Sequence, residues 1–126
     1  MPNFTLERIN INETINPIYK LCREGKCLLD EFIAMVKSDL KLEPLLGDLF
    51  AAVRYVADGK SPPLPEKRMK KIKGQNDAWE ARKGALRMYV KIDNVNGAVI
   101  IIGGDKSSQN ADLKRLKNII KEFSND

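Results

Sequence analysis

The spacing of apolar residues follows a helical period in the first half of the chain and an alternating period in the second half. An alternating stretch predicts a first strand over residues 4–11. Apolar residues three or four positions apart then predict amphipathic helices over residues 12–25, 27–36 and 42–57. Prolines in residues 61–65 predict a stiff connector within one domain, because proline lacks the N–H group that a helix interior requires.

Beyond this connector the pattern predicts strands. A basic loop or short helix over residues 67–73 precedes strands over residues 78–82 and 85–93. Strict alternation in the second of these strands indicates which side chains face the core. The core-facing set is Leu86, Met88, Val90 and Ile92.

The last part of the chain predicts a hairpin followed by a helix. Asn96-Gly97 is typical of a tight turn, and the unbroken apolar run over residues 98–102 predicts a returning strand covered on both faces. Gly103-Gly104 is expected to end that strand where the backbone approaches another group closely. Asn110 is a suitable cap for a last helix. The inward positions of this helix are Leu113, Leu116, Ile120 and Phe123.

This order of elements predicts an α+β fold in which an antiparallel sheet packs against N-terminal helices and a C-terminal helix, with the N-terminal helices together on one face. A length of 126 residues fits one domain. The N-terminal strand and helices occupy residues 1–59, and the basic strands and final helix occupy residues 67–123.

Composition narrows the location and the cofactors. No apolar run approaches the length of a membrane span and no export signal is visible, so we expect a cytoplasmic protein without a membrane partner. Cys22 and Cys27 have no histidine or further cysteine to complete a metal shell. We therefore expect two reduced core thiols, no metal and no cofactor, with a redox pair as the alternative.

Positive charge is concentrated in one segment of the chain. The net charge is +5, but residues 60–91 hold ten Lys or Arg and three Asp or Glu. Such clustering is typical of a polyanion partner, although a solvated lysine-rich surface is the common alternative.

One strand places functional side chains at the spacing of phosphates. Arg87, Tyr89 and Lys91 leave the same side of the strand about 6–7 Å apart, which is close to the spacing of neighbouring phosphates in RNA. Further polar side chains are expected on the neighbouring strand and loops, to form a positive concavity with one aromatic side chain on which a base can stack. They are Glu80, Arg82, Lys70, Lys71, Lys73 and Lys106.

Two motifs in the second half resemble a known family. They are Lys73-Gly74-(x)4-Trp79-Glu80-Ala81-Arg82-(x)4-Arg87-Met88-Tyr89, and Ile101-Ile102-Gly103-Gly104-Asp105-Lys106-Ser107-Ser108-Gln109-Asn110-Ala111-Asp112. In order and spacing they resemble the C-terminal core of RelE/HigB-type toxins of bacterial toxin–antitoxin pairs, the phage-derived group in particular. The resemblance covers residues 67–123.

The resemblance implies a barrel-like antiparallel sheet and a metal-independent endoribonuclease. Such a toxin cuts messenger RNA, often on the ribosome, until a small cognate antitoxin binds it. Arg82 and Arg87 match the strand arginines of the family, and Lys106 matches its basic position after the apolar strand. Arg87 would hold the scissile phosphate, and Glu80 or a lysine would act as general base.

This chain also departs from the family. Active members place a tyrosine or histidine near the closing helix, whereas residues 109–126 contain neither, and Ser107 replaces a second basic residue. Tyr89 is then the alternative proton donor. A non-catalytic RNA- or protein-binding module on the same fold, and a gyrase-inhibiting relative, remain open alternatives.

Overall fold

The protein folds into one sheet with helices on both of its faces. The computed structural model describes residues 4–9, 16–59, 64–75, 77–93 and 97–125. The N-terminal elements are β1 (Phe4–Arg8), β2 (Ile18–Arg23), β3 (Lys26–Cys27), α1 (Leu28–Lys37) and α2 (Leu45–Ala57). The C-terminal elements are β4 (Met69–Lys71), β5 (Ala78–Lys83), β6 (Leu86–Asp93), β7 (Gly97–Asp105), a 3-10 helix (Lys106–Ser108) and α3 (Gln109–Asn125).

The helix predicted over residues 12–25 is wrong where the structure describes it. Residues 12–15 lie outside the described residues, and Ile18–Arg23 is strand β2. Ile18 packs on one face of the sheet and Leu21 on the other, so the three-residue spacing reflects burial on both faces of a strand. Glu24 and Gly25, with φ of 51° and 82°, form the tight turn to β3, rather than a helix end.

The strands form one open, mixed sheet. Their order is β1-β2-β7-β6-β5-β4, with β3 also paired to β2. The β2–β7 pair is parallel, and the other pairs are antiparallel. The expectation of an antiparallel sheet is therefore confirmed for every described pair except β2–β7, whereas the expected barrel-like closure is not found among the described residues. Strands β2 and β7 are parallel neighbours, and the long stretch of chain between them is what a parallel pair requires. Among the described residues, the two edge strands of the sheet do not pair with each other to close a barrel.

Helices cover both faces of this sheet. Helices α1 and α2 pack against Leu86, Met88 and Val90, which confirms the predicted core-facing set of β6, with Ile92 partly buried beside them. Helix α3 packs on the opposite face through Leu116, Ile119 and Ile120, with Leu113 and Phe123 partly buried against the same cluster. The result is a single small α/β domain. None of the helices in the described ranges is long and apolar enough to cross a membrane.

Strand β7 lies at the centre of the domain and is buried on both faces, as its apolar run predicts. It continues through Gly103 and Gly104 to Asp105, so these glycines do not end it. The expected close approach is confirmed. A Cβ on Gly103 would lie 2.3 Å from the Phe32 ring, and one on Gly104 would lie 2.0 Å from Oδ2 of Asp112. Of the predicted hairpin turn, Asn96 lies outside the described residues, and Gly97 has a φ of 113°.

The two cysteines form a disulfide, so the expectation of two separate thiols is wrong. The tight turn at Glu24 and Gly25 places Cys22 directly opposite Cys27 on the paired strands β2 and β3. The sequence pattern predicted a helix over Cys22, and a helix would not have placed Cys22 opposite Cys27. The two cysteines were therefore interpreted as separate thiols.

Candidate functional site

A basic cleft of about 220 Å³ opens where strands β4 and β5 meet helix α3. Five of its lining side chains are basic and one is acidic. Because so much positive charge surrounds a single carboxylate, the basic cleft is suited to an anionic ligand. Its lining residues are Lys70, Lys71, Ile72, Lys73, Glu80, Arg82, Gln109, Leu113 and Lys117.

The edge of the sheet supplies the lysines of the basic cleft. Met69–Lys71 forms strand β4 rather than the predicted loop or short helix, and Lys70 pairs in register with Glu80. Buried Met69 and Ile72 anchor this edge, while Lys70 and Lys71 are exposed. Charged side chains on an edge strand also discourage pairing with another chain.

Glu80 lies at the bottom of the basic cleft, with its side chain only 4% exposed. Arg82 Nε donates a hydrogen bond to Oε1 of Glu80 at 2.5 Å. Gln109 Nε2, at the start of α3, lies 2.9 Å from both carboxylate oxygens and donates to them. The carboxylate is thus held by a strand neighbour and by a helix from another part of the chain, which fixes its orientation.

Arg87 lies behind Glu80 rather than in the basic cleft. Its Nη1 donates to the backbone oxygens of Gly84 and Leu86, both at 2.8 Å, and its Nε lies 3.6 Å from Oε1 of Glu80. The side chain is 10% exposed. Arg87 therefore contributes positive charge beneath the carboxylate, and its guanidinium is already engaged with the protein. The expectation that it grips an RNA phosphate directly is not met by this arrangement.

Tyr89 is fully buried, which overturns its predicted place on an open sheet face. The reason is that α3 covers this side of the sheet and encloses Tyr89 among apolar residues. Burial, together with the negative charges of Glu80 and Asp112, raises the pKa of Tyr89 far above its ordinary value. Tyr89 pairs in register with Glu80 but is not among the residues that line the basic cleft, so its buried phenol is not presented to a ligand there.

The remaining predicted residues lie outside the basic cleft. Lys91 is partly buried on β6, where it pairs in register with Ala78. Lys106 is exposed and lines a separate hollow with Ala85, Asp105 and Ser107. The structure thus brings together part of the set proposed from the sequence: Lys70, Lys71, Lys73, Glu80 and Arg82.

Two polar residues of the basic cleft, Gln109 and Lys117, were not assigned to it from the sequence. Gln109 and Lys117 line the cleft together with Leu113, and the three lie four residues apart on α3. Residues at this spacing share one face of a helix. The four-residue spacing is visible in the sequence, but the sequence does not show which strands this face of α3 packs against.

A cap centred on Asp105 begins the 3-10 helix that leads into α3, and the predicted cap Asn110 lies within the first turn of α3 instead. The Asp105 carboxylate accepts hydrogen bonds from the backbone N–H groups of Ser107 and Ser108 at 2.8 and 3.1 Å. Ser108 Oγ in turn donates to Asp112 at 2.6 Å. Gln109 follows the capped 3-10 helix directly, so the cap lies one turn before the contact between Gln109 and Glu80.

Replacing Asp105 with alanine is expected to lower the free energy of unfolding by about 0.5–2 kcal/mol near neutral pH. Hydrogen bonds from Ser107 and Ser108 lower the pKa of Asp105 in the folded protein. This stabilisation is present above the unfolded-state pKa and is lost as pH falls through the lower folded-state pKa. Urea unfolding at about pH 7 and about pH 2.5 should therefore show a smaller difference in acid. Asp105→Asn, which keeps a capping oxygen, should be close to wild type at neutral pH.

Metal-ligating side chains in the described part of the chain meet at a different place. Donor atoms of Glu7, Cys22 and Cys27 all lie within 4.8 Å of one another. This group lies on β1, β2 and β3, at the opposite end of the strand order from β4 and β5.

Comparisons with protein-family models, with curated proteins and with solved structures find no match for this chain.

Proposed function

We propose that the protein is an RNA-cleaving toxin of the RelE/HigB type, which holds the phosphate backbone of messenger RNA in the basic cleft. The observation that supports this best is the convergence of five basic side chains on one buried carboxylate, Glu80. Lysines suit a single-stranded backbone because they bind phosphates as mobile point charges, and arginine adds a bidentate donor. The motif resemblance over residues 67–123 supports the same assignment through Arg82, which lines the basic cleft, whereas the other matched residues, Arg87 and Lys106, do not line it.

The chemistry needs no metal. In this reaction the 2′-oxygen attacks the adjacent phosphorus, which leaves a 2′,3′-cyclic phosphate and a free 5′-hydroxyl. Arg82 would turn from Glu80 to the phosphate oxygens and stabilise their growing negative charge. Glu80, released from that contact, would accept the 2′-proton, and a lysine of the cleft would protonate the leaving oxygen. A small cognate antitoxin would act by covering the basic cleft.

Binding of RNA without cleavage is the second candidate. It is favoured by the contacts of Glu80, whose two oxygens already accept hydrogen bonds from Gln109, and by the burial of Tyr89. In this case the Arg82–Glu80 pair would stay closed, and the cleft lysines alone would meet the backbone, on free RNA or on the ribosome.

The two candidates are separated by comparing wild type with Arg82→Ala. Induced in bacteria, the wild type should stop growth and cut transcripts. Purified protein in excess EDTA should cut single-stranded RNA and leave cyclic phosphate ends. Loss of a donor to the transition state is expected to slow cleavage by about 100-fold or more. Arg115→Ala is the matched control, because Arg115 is an exposed arginine of α3 outside the basic cleft, and it should behave as wild type.

The outcomes are distinct. RNA bound by the wild type and left intact, with or without ribosomes, would select the binding function. Equal cleavage by wild type and Arg82→Ala would show that the active residues lie elsewhere. Wild type that neither binds RNA nor affects growth would refute both candidates. Circular dichroism of each variant establishes that a loss of activity is not a loss of fold.

A further inference from the structure

Three potential metal ligands meet at the N-terminal edge of the sheet. Strand β2 lies between β1 and β3, with Thr5 opposite Cys22 on one side and Cys27 opposite Cys22 on the other. Two residues along β1 from Thr5, Glu7 faces the same side of the sheet as the cysteines. Its carboxylate and the two sulfur atoms lie within 4.8 Å of one another.

One separation among the ligands already fits a tetrahedral zinc ion, whereas the two sulfur atoms, which are bonded to each other here, have to move apart to about 3.8 Å after reduction. Sγ of Cys27 lies 3.3 Å from Oε2 of Glu7. With Zn–S near 2.3 Å and Zn–O near 2.0 Å, a tetrahedral site places sulfur and oxygen ligands about 3.5 Å apart. The four residues between Cys22 and Cys27 also fall within the loop lengths that join pairs of zinc-binding cysteines. Glu7 comes from a separate strand, so the sequence pattern of the two cysteines did not reveal this third ligand.

The surroundings provide both access and support. Cys22 and Cys27 are 1% and 7% exposed, whereas the side chain of Glu7 is 59% exposed and opens the group to solvent. Lys20 Nζ lies 3.6 Å from Oε2 of Glu7 and 2.8 Å from Asp30. Such an outer partner is the usual means by which a carboxylate ligand is held in place.

We propose that Glu7, Cys22 and Cys27 form a zinc site that exists only when the disulfide is reduced. In the disulfide the two sulfur atoms are bonded to each other, so neither is a thiolate that can ligate a metal. A dithiol reductant supplies two electrons and two protons, is itself oxidised to a disulfide, and leaves two cysteine thiols. Zn²⁺ then displaces both thiol protons and bonds to two thiolates and the Glu7 carboxylate, with water as the fourth ligand.

The pair therefore has two mutually exclusive occupied states, a disulfide under oxidising conditions and a zinc complex under reducing conditions. Both states tie β3, and with it the start of α1, to strand β2. The site involves none of the residues of the basic cleft, so this proposal stands whatever the outcome for RNA.

The full-length protein tests the proposal directly. Protein reduced with a phosphine and freed of reductant under nitrogen is titrated with Co²⁺ and then Zn²⁺, in parallel with air-oxidised protein. The reduced form should show sulfur-to-cobalt charge-transfer absorption and bind one Zn²⁺ per chain, and the oxidised form should bind none. Glu7→Gln should weaken Zn²⁺ binding by at least about tenfold. Glu31→Gln, which alters an exposed acid of α1, is the matched control and should bind as wild type.

Several results would overturn the proposal. Equal metal binding by reduced and oxidised protein would place the metal elsewhere. Reduced wild type without charge-transfer absorption would show that the thiols do not ligate. Unchanged affinity in Glu7→Gln would remove the carboxylate from the site, and because the Glu7 side chain is exposed, this variant is expected to fold as wild type.

Discussion

Replacing Glu80 with alanine should lower the free energy of unfolding by about 3–5 kcal/mol, because it leaves buried positive charge without its partner. Arg82 and Arg87 are only 24% and 10% exposed, and both face the Glu80 carboxylate. Gln109 loses its acceptor in the same change. Equilibrium unfolding in urea at neutral pH measures the loss.

The control is an ion pair at the surface. Asp48→Ala removes the partner of Lys83 at 3.3 Å, where the two side chains are 54% and 45% exposed. Screening by water limits that loss to about 1 kcal/mol or less. Should Glu80→Ala cost no more than Asp48→Ala, the carboxylate is not the centre of a buried network. The Glu80 carboxylate would then be freer to act as a base in the basic cleft than its hydrogen bonds indicate.

Reversing the charge of the lysine edge should abolish RNA binding at moderate salt. The variant carries Lys70→Glu, Lys71→Glu and Lys73→Glu, and all three lysines line the basic cleft. Each phosphate contact on a single strand contributes about 0.7 to the slope of log K against log salt, so three lost contacts reduce the slope by about 2. We expect affinity for a single-stranded oligonucleotide to fall at least about 100-fold in low salt. Fluorescence anisotropy over a salt series gives both quantities.

A control variant tests whether the change in net charge alone accounts for the loss of RNA affinity. A variant with Lys26→Glu, Lys37→Glu and Lys41→Glu undergoes the same change in net charge at exposed positions outside the basic cleft. It should retain most of its affinity and nearly the full salt slope. A similar loss in both variants would mean that RNA responds to overall charge, and the basic cleft would not be its binding site.

The second half of the chain was the more predictable part of the fold. Alternation over Leu86–Asp93 placed Leu86, Met88 and Val90 correctly, since aliphatic residues at every second position give a strand a clear period. Strand β2 was mistaken for a helix because both of its faces are buried. Ile18 and Leu21 are buried on opposite faces of the strand, and their three-residue spacing is also that of two residues on one face of a helix. Local spacing does not distinguish these cases, and the parallel partner of β2 lies far away in sequence.

The candidate site was predictable only where one local segment supplies it. Lys70, Lys71 and Lys73 lie in a single basic stretch, and Glu80 and Arg82 alternate on the strand beside it. Tyr89 was misplaced because its burial depends on α3, which comes from the end of the chain. The same packing brings in Gln109 and Lys117, whose roles depend on tertiary contacts with β4 and β5.

The parallel pairing of β2 with β7 also sets the order in which the protein can be completed on the ribosome. Ile18 pairs with Ala98, so the first strands of a nascent chain have no place in the sheet until most of the chain has emerged. Helix α3, which closes the basic cleft through Gln109 and Lys117, follows all the other described elements in the chain. A cell that synthesises this protein therefore holds no complete cleft until α3 has left the ribosome, and products truncated before α3 lack it altogether.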